Sequence, residues 1–261
     1  MIGWFPTPYP DELFYSICAR YQERAAYPSS RTTNEALFGN RDITQAIDLP
    51  SHLELFISNL PSGHRITAHR VIGNHSLLPF YSPFLSADRV RRIKNEMRYG
   101  DSNKIHKLTG IINSAIRPLD WLRFCPVCVK EDRARFGCTY WHRVQQLPSI
   151  EVCSEHAVFL ESSLAQARNQ LTKHSYIPAE KVVNDSLAHP LDLSNASHVV
   201  LLNVARDAEW LLSQGNLRSD FARLRTRYLV LLWERKLASV TGIVWIKKLM
   251  YALRDHFTPA V

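Results

Sequence analysis

Two short pairs of metal-ligating side chains carry the clearest chemistry in this sequence. Cys125-Pro126-Val127-Cys128 sets two thiols two residues apart, and Cys153-Ser154-Glu155-His156 repeats the gap with a thiol and an imidazole. A short loop lets both members of such a pair point at one ion, and zinc takes two pairs from separate turns into a tetrahedral site. Cys125, Cys128, Cys153 and His156 fill all four positions, so the expected ion is a single structural Zn2+ with no place for an activated water. Such a site can contribute on the order of 10 kcal/mol to folding a small module. A lone CxxC would also be read as buried free cysteines or as a thioredoxin-like redox pair; a second pair at the same spacing argues against both. Cys138 and His142 lie between the pairs and are alternative ligands, but with four already supplied they read as packing or surface residues. Cys18 reads as a core thiol.

Hydrolytic metal chemistry is a poor fit. A two-metal nuclease needs convergent carboxylates to clamp the reacting phosphate. The cluster offers only Glu131, Asp132, Glu151 and Glu155, which read as surface charges. No enzymatic activity is expected.

The elements that must position these ligands are mostly helical. Proline fixes an extended start over residues 6–10, and Asp11 is placed to cap a helix that buries one face through Leu13, Phe14, Ile17, Cys18 and Tyr21. Shorter helical patterns follow over 33–38 and 51–60, the second with Leu53, Phe56, Ile57 and Leu60 on one side. Residues 77–84 hold aromatics between Pro79 and Pro83, which predicts an extended stretch covering the core. Ser86 is a cap for a helix ending near Gly100, and Asp101 or Ser102 begins another with Ile105, Leu108 and Ile112 inward. Residues 164–190 read as polar and irregular, and a long helix runs to about 214 from Asp192 or Ser194. Two helices then occupy 218–257, joined by a turn at 239–242. Phe221, Leu224, Tyr228, Leu231 and Leu232 line the first, and Val244, Ile246, Leu249, Met250 and Leu253 the second.

The fold expected is therefore mainly α. A region of small helices with a Cys3His zinc-finger module at 121–163 makes an N-terminal domain over 1–164. A linker spans 165–192, and a helical, helix-turn-helix-like C-terminal domain spans 193–261.

Charge points to a polyanionic partner. The 261 residues carry 32 Lys and Arg against 24 Asp and Glu, a formal net charge of +8, which favours nucleic acid. Residues 86–117 hold eight basic side chains (Arg89, Arg91, Arg92, Lys94, Arg98, Lys104, Lys107, Arg117) against three acids. Residues 218–257 hold nine (Arg218, Arg223, Arg225, Arg227, Arg235, Lys236, Lys247, Lys248, Arg254) against three. No apolar run approaches the roughly 18 residues that span a bilayer, and the first residues lack the basic and apolar regions of a signal peptide. A cytoplasmic protein with no membrane partner is expected, and five cysteines, an odd number, suit metal better than a disulfide framework.

The ordered set of short motifs resembles the TniQ/TnsD family of transposon target-selection proteins. It comprises Pro6-x-Pro8 followed by Asp11-Glu12-Leu13-x-x-Ser16-x-x-x-Arg20, then Pro50-Ser51-His52-Leu53 and His75-x-Leu77-x-Pro79-x-Tyr81-x-Pro83-Phe84. The zinc block completes it: Cys125-Pro126-x-Cys128, Tyr140-Trp141-x-Arg143, Leu147-Pro148 and Cys153-x-x-His156-x-x-x-Leu160. The resemblance covers residues 4–163 well and the C-terminal part more loosely. Ser154 stands where the family often has proline, and Ala157 where it often has glycine. TnsD-like members are usually longer than this chain.

The resemblance implies a nucleoid-associated bacterial protein that binds double-stranded target DNA and recruits the AAA+ ATPase TnsC to direct insertion. Its alternative implication is an adaptor of a CRISPR-associated transposon, bridging a Cascade-type effector with guide RNA to TnsC. Under the first, residues 241–256 enter the major groove, Arg223, Arg225 and Arg227 neutralise phosphates, and Lys247, Lys248 or Arg254 reach bases, with Arg89, Arg91 and Arg92 as a further basic contact. A solvated basic face on an ordinary helical hairpin is the plainer reading of the same residues.

Overall fold

The computed structural model describes residues 1–43, 46–100, 102–110, 119–167, 175–214 and 221–257. Asp101, Ile112, Arg117, Arg218 and part of the expected linker fall outside these residues. The chain is mainly helical. An N-terminal set comprises α1 (Phe14–Arg24), α2 (Ser30–Phe38), α3 (Leu53–Asn59), α4 (Ala68–Asn74), α5 (Leu78–Tyr81), α6 (Ala87–Tyr99) and α7 (Ser102–Thr109). β1 (Trp121–Phe124), α8 (Pro126–Phe136) and β2 (Glu161–Gln166) frame the cysteine block, and α9 (Ala196–Ser213), α10 (Phe221–Glu234) and α11 (Ile246–Phe257) follow. β1 and β2 pair antiparallel, with Arg123 opposite Ser162 and Phe124 opposite Glu161.

Local chemistry sets the helix starts. The hydroxyls of Ser29, Thr67 and Ser86 each accept a backbone N–H three residues on, starting α2, α4 and α6. Gly39 ends α2 in the left-handed conformation at φ 68°, the usual glycine stop. For α9 the cap is Asn195, which accepts from the Ser197 amide, one residue beyond Ser194; Asp192 instead closes a turn onto the Ser194 amide.

α1 corrects two expectations. It buries not one face but every residue from Phe14 to Tyr21, because its polar members have partners inside: Ser16 and Arg20 both bond the Glu12 carboxylate. Asp11 does not cap this helix. Its carboxylate is taken by Arg143 Nε at 2.9 Å and the Val144 amide at 3.1 Å, a tertiary demand that outbids a local one. The stretch 77–84 is also not extended: α5 is followed by a 3-10 turn at Ser82–Phe84. Each proline sits at the start of its own short helix, where a missing N–H costs nothing.

One core runs from Ile2 to Leu212, built around Leu13, Phe14, Ile17, Phe38, Leu53, Phe56 and Trp141. Leu202, Ala205, Ala208 and Leu212 of α9 belong to it, so the helix that opens the expected C-terminal domain packs against the N-terminal body. The expected linker is, over residues 175–191, a bound strap. Tyr176 donates its hydroxyl to Asn34 at 2.7 Å, Ile177 takes the Trp141 indole N–H at 2.8 Å, and Leu191 donates its amide to Ala157. Burial of Tyr176, Val183 and Leu191 outweighs the polar composition.

Beyond the core, α10 and α11 are joined by residues 235–245, which close a small hairpin through an Ala238↔Val244 bridge with Gly242 at φ 82°. The second helix starts at Ile246 rather than near Thr241. Trp233, Trp245, Met250 and Tyr251 on this unit are exposed. Among the described residues, no helix is long and apolar enough to cross a membrane.

Candidate metal centre

Cys125 ends the extended run from β1 and is also the N-cap of α8, with Pro126 in the first turn. The Cys128 amide therefore points back at Cys125 Sγ, 3.5 Å away, and both thiols stand at the positive end of a helix dipole, which favours their ionised form. Cys153 and His156 sit on a tight knuckle: the Cys153 amide bonds the Val158 carbonyl at 2.8 Å and the Ala157 amide bonds the Cys153 carbonyl at 3.1 Å. Closing it requires φ 50° at Ala157, a left-handed conformation that costs a non-glycine residue roughly 1–2 kcal/mol. A glycine at that position would adopt the same conformation without that cost.

The four ligating atoms lie within 4.8 Å of one another. Cys128 Sγ is 3.8 Å from Cys153 Sγ, and His156 Nδ1 is 3.6, 3.3 and 3.5 Å from the sulfurs of Cys125, Cys128 and Cys153. Arms of about 2.3 Å to sulfur and 2.0 Å to nitrogen give a tetrahedron with edges of roughly 3.5–3.8 Å, so the donor set fits zinc in size and in chemistry. The three sulfurs otherwise compete for one negative charge. Hydrogen bonds from Cys125 and Cys128 hold Cys153 below the usual thiol range, while those with Cys125 and Cys153 push Cys128 above it. A divalent cation ends the competition, since coordinated thiols are deprotonated outright.

The block is tied down by side chains reading backbone. Gln146 accepts from the Arg123 amide at 2.9 Å and donates to its carbonyl at 2.7 Å, pinning β1 as a partner strand would. Arg143 reaches Asp11 and the carbonyls of Gly73 and Ser76. Trp141, fully buried, donates its amide N–H to Ser16 Oγ and accepts the Leu13 amide on its carbonyl. His75 donates from Nδ1 to the Glu12 carbonyl at 2.7 Å, and burial pushes its pKa down to about 4, which keeps it neutral. The motif residues Glu12, Ser16, Arg20, His75, Trp141 and Arg143 thus form the buried joint between the N-terminal helices and the cysteine block.

The alternative ligands stay outside the cluster. Cys138 is only half-buried, and His142 bonds Asp132 at 2.9 Å and stacks on Tyr140. Burial works against the His142 charge, but the Asp132 carboxylate wins and raises its pKa above the ordinary value. Asp132 is not a surface charge: it is buried and also accepts from Thr139. Its place four residues after Cys128, on the same side of α8, is the signal that sequence reading passed over. Glu131 is exposed but bonds His156 Nε2, and buried Gln145 donates to Cys128 Sγ; nothing in residue type alone marked either. A cleft beside the centre is lined by Asp11, Glu131, Asp132, Glu155 and Glu209 against Arg135 and His142.

The basic candidates lie elsewhere. Arg89, Arg91 and Arg92 face solvent on α6, Arg223, Arg225 and Arg227 on α10, and Lys247, Lys248 and Arg254 on α11. Arg91 pairs with Asp88, and Lys248 sits 4.5 Å above the Trp245 ring. On α10, Arg223 and Arg227 share a stripe while Arg225 is turned roughly opposite, so one duplex can meet two of the three.

The chain matches the TniQ family over residues 4–160. It is 30% identical over 168 residues to the transposon Tn7 transposition protein TnsD of Escherichia coli, a match that covers 64% of this chain and 33% of the relative. The chain thus spans about a third of the length of that curated relative. With the family matched over more than half of its 261 residues, and its motif residues forming one connected interior, the chain belongs to the TniQ family.

Proposed function

We propose that this protein selects target sites for a Tn7-like transposon: it binds target DNA and recruits a TnsC-type AAA+ regulator to it. The observation that carries the reading is the 30% identity over 168 residues to a Tn7 transposition protein, beside the family match over residues 4–160. Zn2+ held by Cys125, Cys128, Cys153 and His156 would serve as a structural pin for that block and would take no part in bond chemistry. Six basic residues on α10 and α11, all solvent-facing, supply a phosphate-seeking surface. The acidic cleft at the metal centre would repel phosphate, so that side of the molecule suits a protein partner.

A second reading, an adaptor that docks on a Cascade-type effector and reads little DNA itself, is favoured by one feature. The 235–245 connection is longer than the 3–4-residue turn of a helix-turn-helix, at about 11 residues.

Binding to duplex DNA across a salt series separates phosphate contacts from base contacts. Arg223→Ala/Arg227→Ala is expected to weaken binding to all sequences alike and to flatten the slope of log K against log salt by about 1.8, or 0.9 per phosphate contact. Lys247→Ala or Arg254→Ala, if the side chain reads a base, should cost about 1–3 kcal/mol and relax preference at one position. An unchanged slope and preference in both variants would remove α10 and α11 from the DNA interface.

A further inference from the structure

Resting on the metal-centre reading, the geometry points to Glu131 as the residue that positions His156, selecting Nδ1 as its ligating atom, with Gln145 supporting Cys128. The imidazole of His156 is held from both sides. Nδ1 faces all three sulfurs at 3.3–3.6 Å, while Nε2 is turned away from them and lies 3.1 Å from Glu131 Oε2. A neutral imidazole that gives one nitrogen's lone pair to a metal must carry its proton on the other, and a carboxylate accepting that N–H fixes both the tautomer and the ring plane.

Glu131 can do this because of where α8 puts it. It follows Cys128 by three residues on the same helix, so a ligand and the partner of another ligand rise side by side. The helix that starts at the metal thereby reaches across to the opposite knuckle and braces it. Gln145 approaches from a third segment: its buried amide donates to Cys128 Sγ at 3.3 Å. Three thiolates around Zn2+ leave a net charge of about −1 in the site by the zinc ligand chemistry, and an N–H aimed at one sulfur spreads that charge. Glu155 serves as an internal comparison. It is another exposed carboxylate close to His156, yet it lies on the knuckle itself rather than on the helix that carries Cys128.

The test uses the full chain loaded with zinc, its affinity read by competition with a chromogenic chelator and the imidazole nitrogens by long-range 15N–1H NMR. The wild type is expected to hold one zinc and to show His156 metallated at Nδ1 and protonated at Nε2. Glu131→Ala should weaken zinc about tenfold, the low end for such partners. Glu131→Gln, which keeps an acceptor oxygen, should recover part of that loss, and Glu155→Ala should bind as the wild type does. Wild-type affinity in Glu131→Ala, an equal loss in Glu155→Ala, or metallation at Nε2 would overturn the inference while leaving the metal centre intact. A wild type that binds no zinc would overturn the metal-centre reading itself.

Discussion

Cys128→Ser is expected to abolish stoichiometric zinc and to unfold the cysteine block, with a loss on the order of 10 kcal/mol, the scale at which structural zinc contributes to small modules. The expectation is large because the four ligands tie the two ends of residues 121–163 to one another, a link that the block's contacts with the main core through Leu122, Phe124, Trp141 and Leu147 do not supply. Cys125, Cys128, Cys153 and Val158 form a separate small cluster apart from the main core, and the only sheet is the two-stranded pair β1 and β2 among the described residues. The damage should spread. Trp141 and Arg143 anchor the block to α1 and to the α4 end, so unfolding it withdraws the fully buried indole from the main core and leaves the Leu13 amide without its acceptor. Metal analysis and urea denaturation of the full chain check this. Cys138→Ser is the matched control, since Cys138 stands outside the cluster; it should keep its zinc and its midpoint. One zinc per chain in Cys128→Ser would refute the assigned ligand set.

The second large effect is expected at a buried ion pair. Glu12, with no exposed surface, takes Arg20 Nε at 2.8 Å and Nη2 at 2.7 Å in a two-pronged contact. Its oxygens also accept from Ser16 Oγ at 3.0 Å and from the Tyr9 amide at 2.9 Å, while Arg20 donates to the Thr7 carbonyl and lies 3.8 Å above the Tyr9 ring. Both carboxylate oxygens of Glu12 and the Nε and Nη2 of Arg20 are occupied, so removing either partner strands a charge in the interior. Glu12→Gln and Arg20→Met should each cost about 3–5 kcal/mol by urea denaturation. The double variant should recover a substantial part of the summed loss, since it leaves no unpaired charge. Additive losses in the double variant would show that the two side chains act independently.

Particular residues show what was legible in the sequence. The two pairs at Cys125 and Cys153 were legible because ligand spacing is a local property, fixed by the turn that carries both members. The caps at Ser86 and the inward stripe of Leu13, Phe14, Ile17 and Tyr21 were legible for the same reason: neighbours along the chain decide them. Where a distant residue decides, local reading failed. Asp11 looks like a cap until Arg143 claims it, and Asp132 looks like a surface charge until His142 and Thr139 do. The strap at 175–191 looks polar because its few apolar members, Tyr176, Val183 and Leu191, are spaced too widely to show a period. Pro79 and Pro83 read as helix breakers, although proline is at home in a helix's first turn. The family motif, read as a functional signature, turns out to be largely the buried joint around Glu12, Arg20 and Arg143.

The most direct test of the proposed role is selection of target duplexes from a random library by the zinc-loaded protein at high salt, followed by loading of a TnsC-type ATPase on the selected duplexes. The account predicts one enriched sequence whose preference persists as salt rises, with the ATPase loading beside it only when this protein is bound. Uniform binding that collapses with salt, together with ATPase loading that ignores the protein, would contradict it.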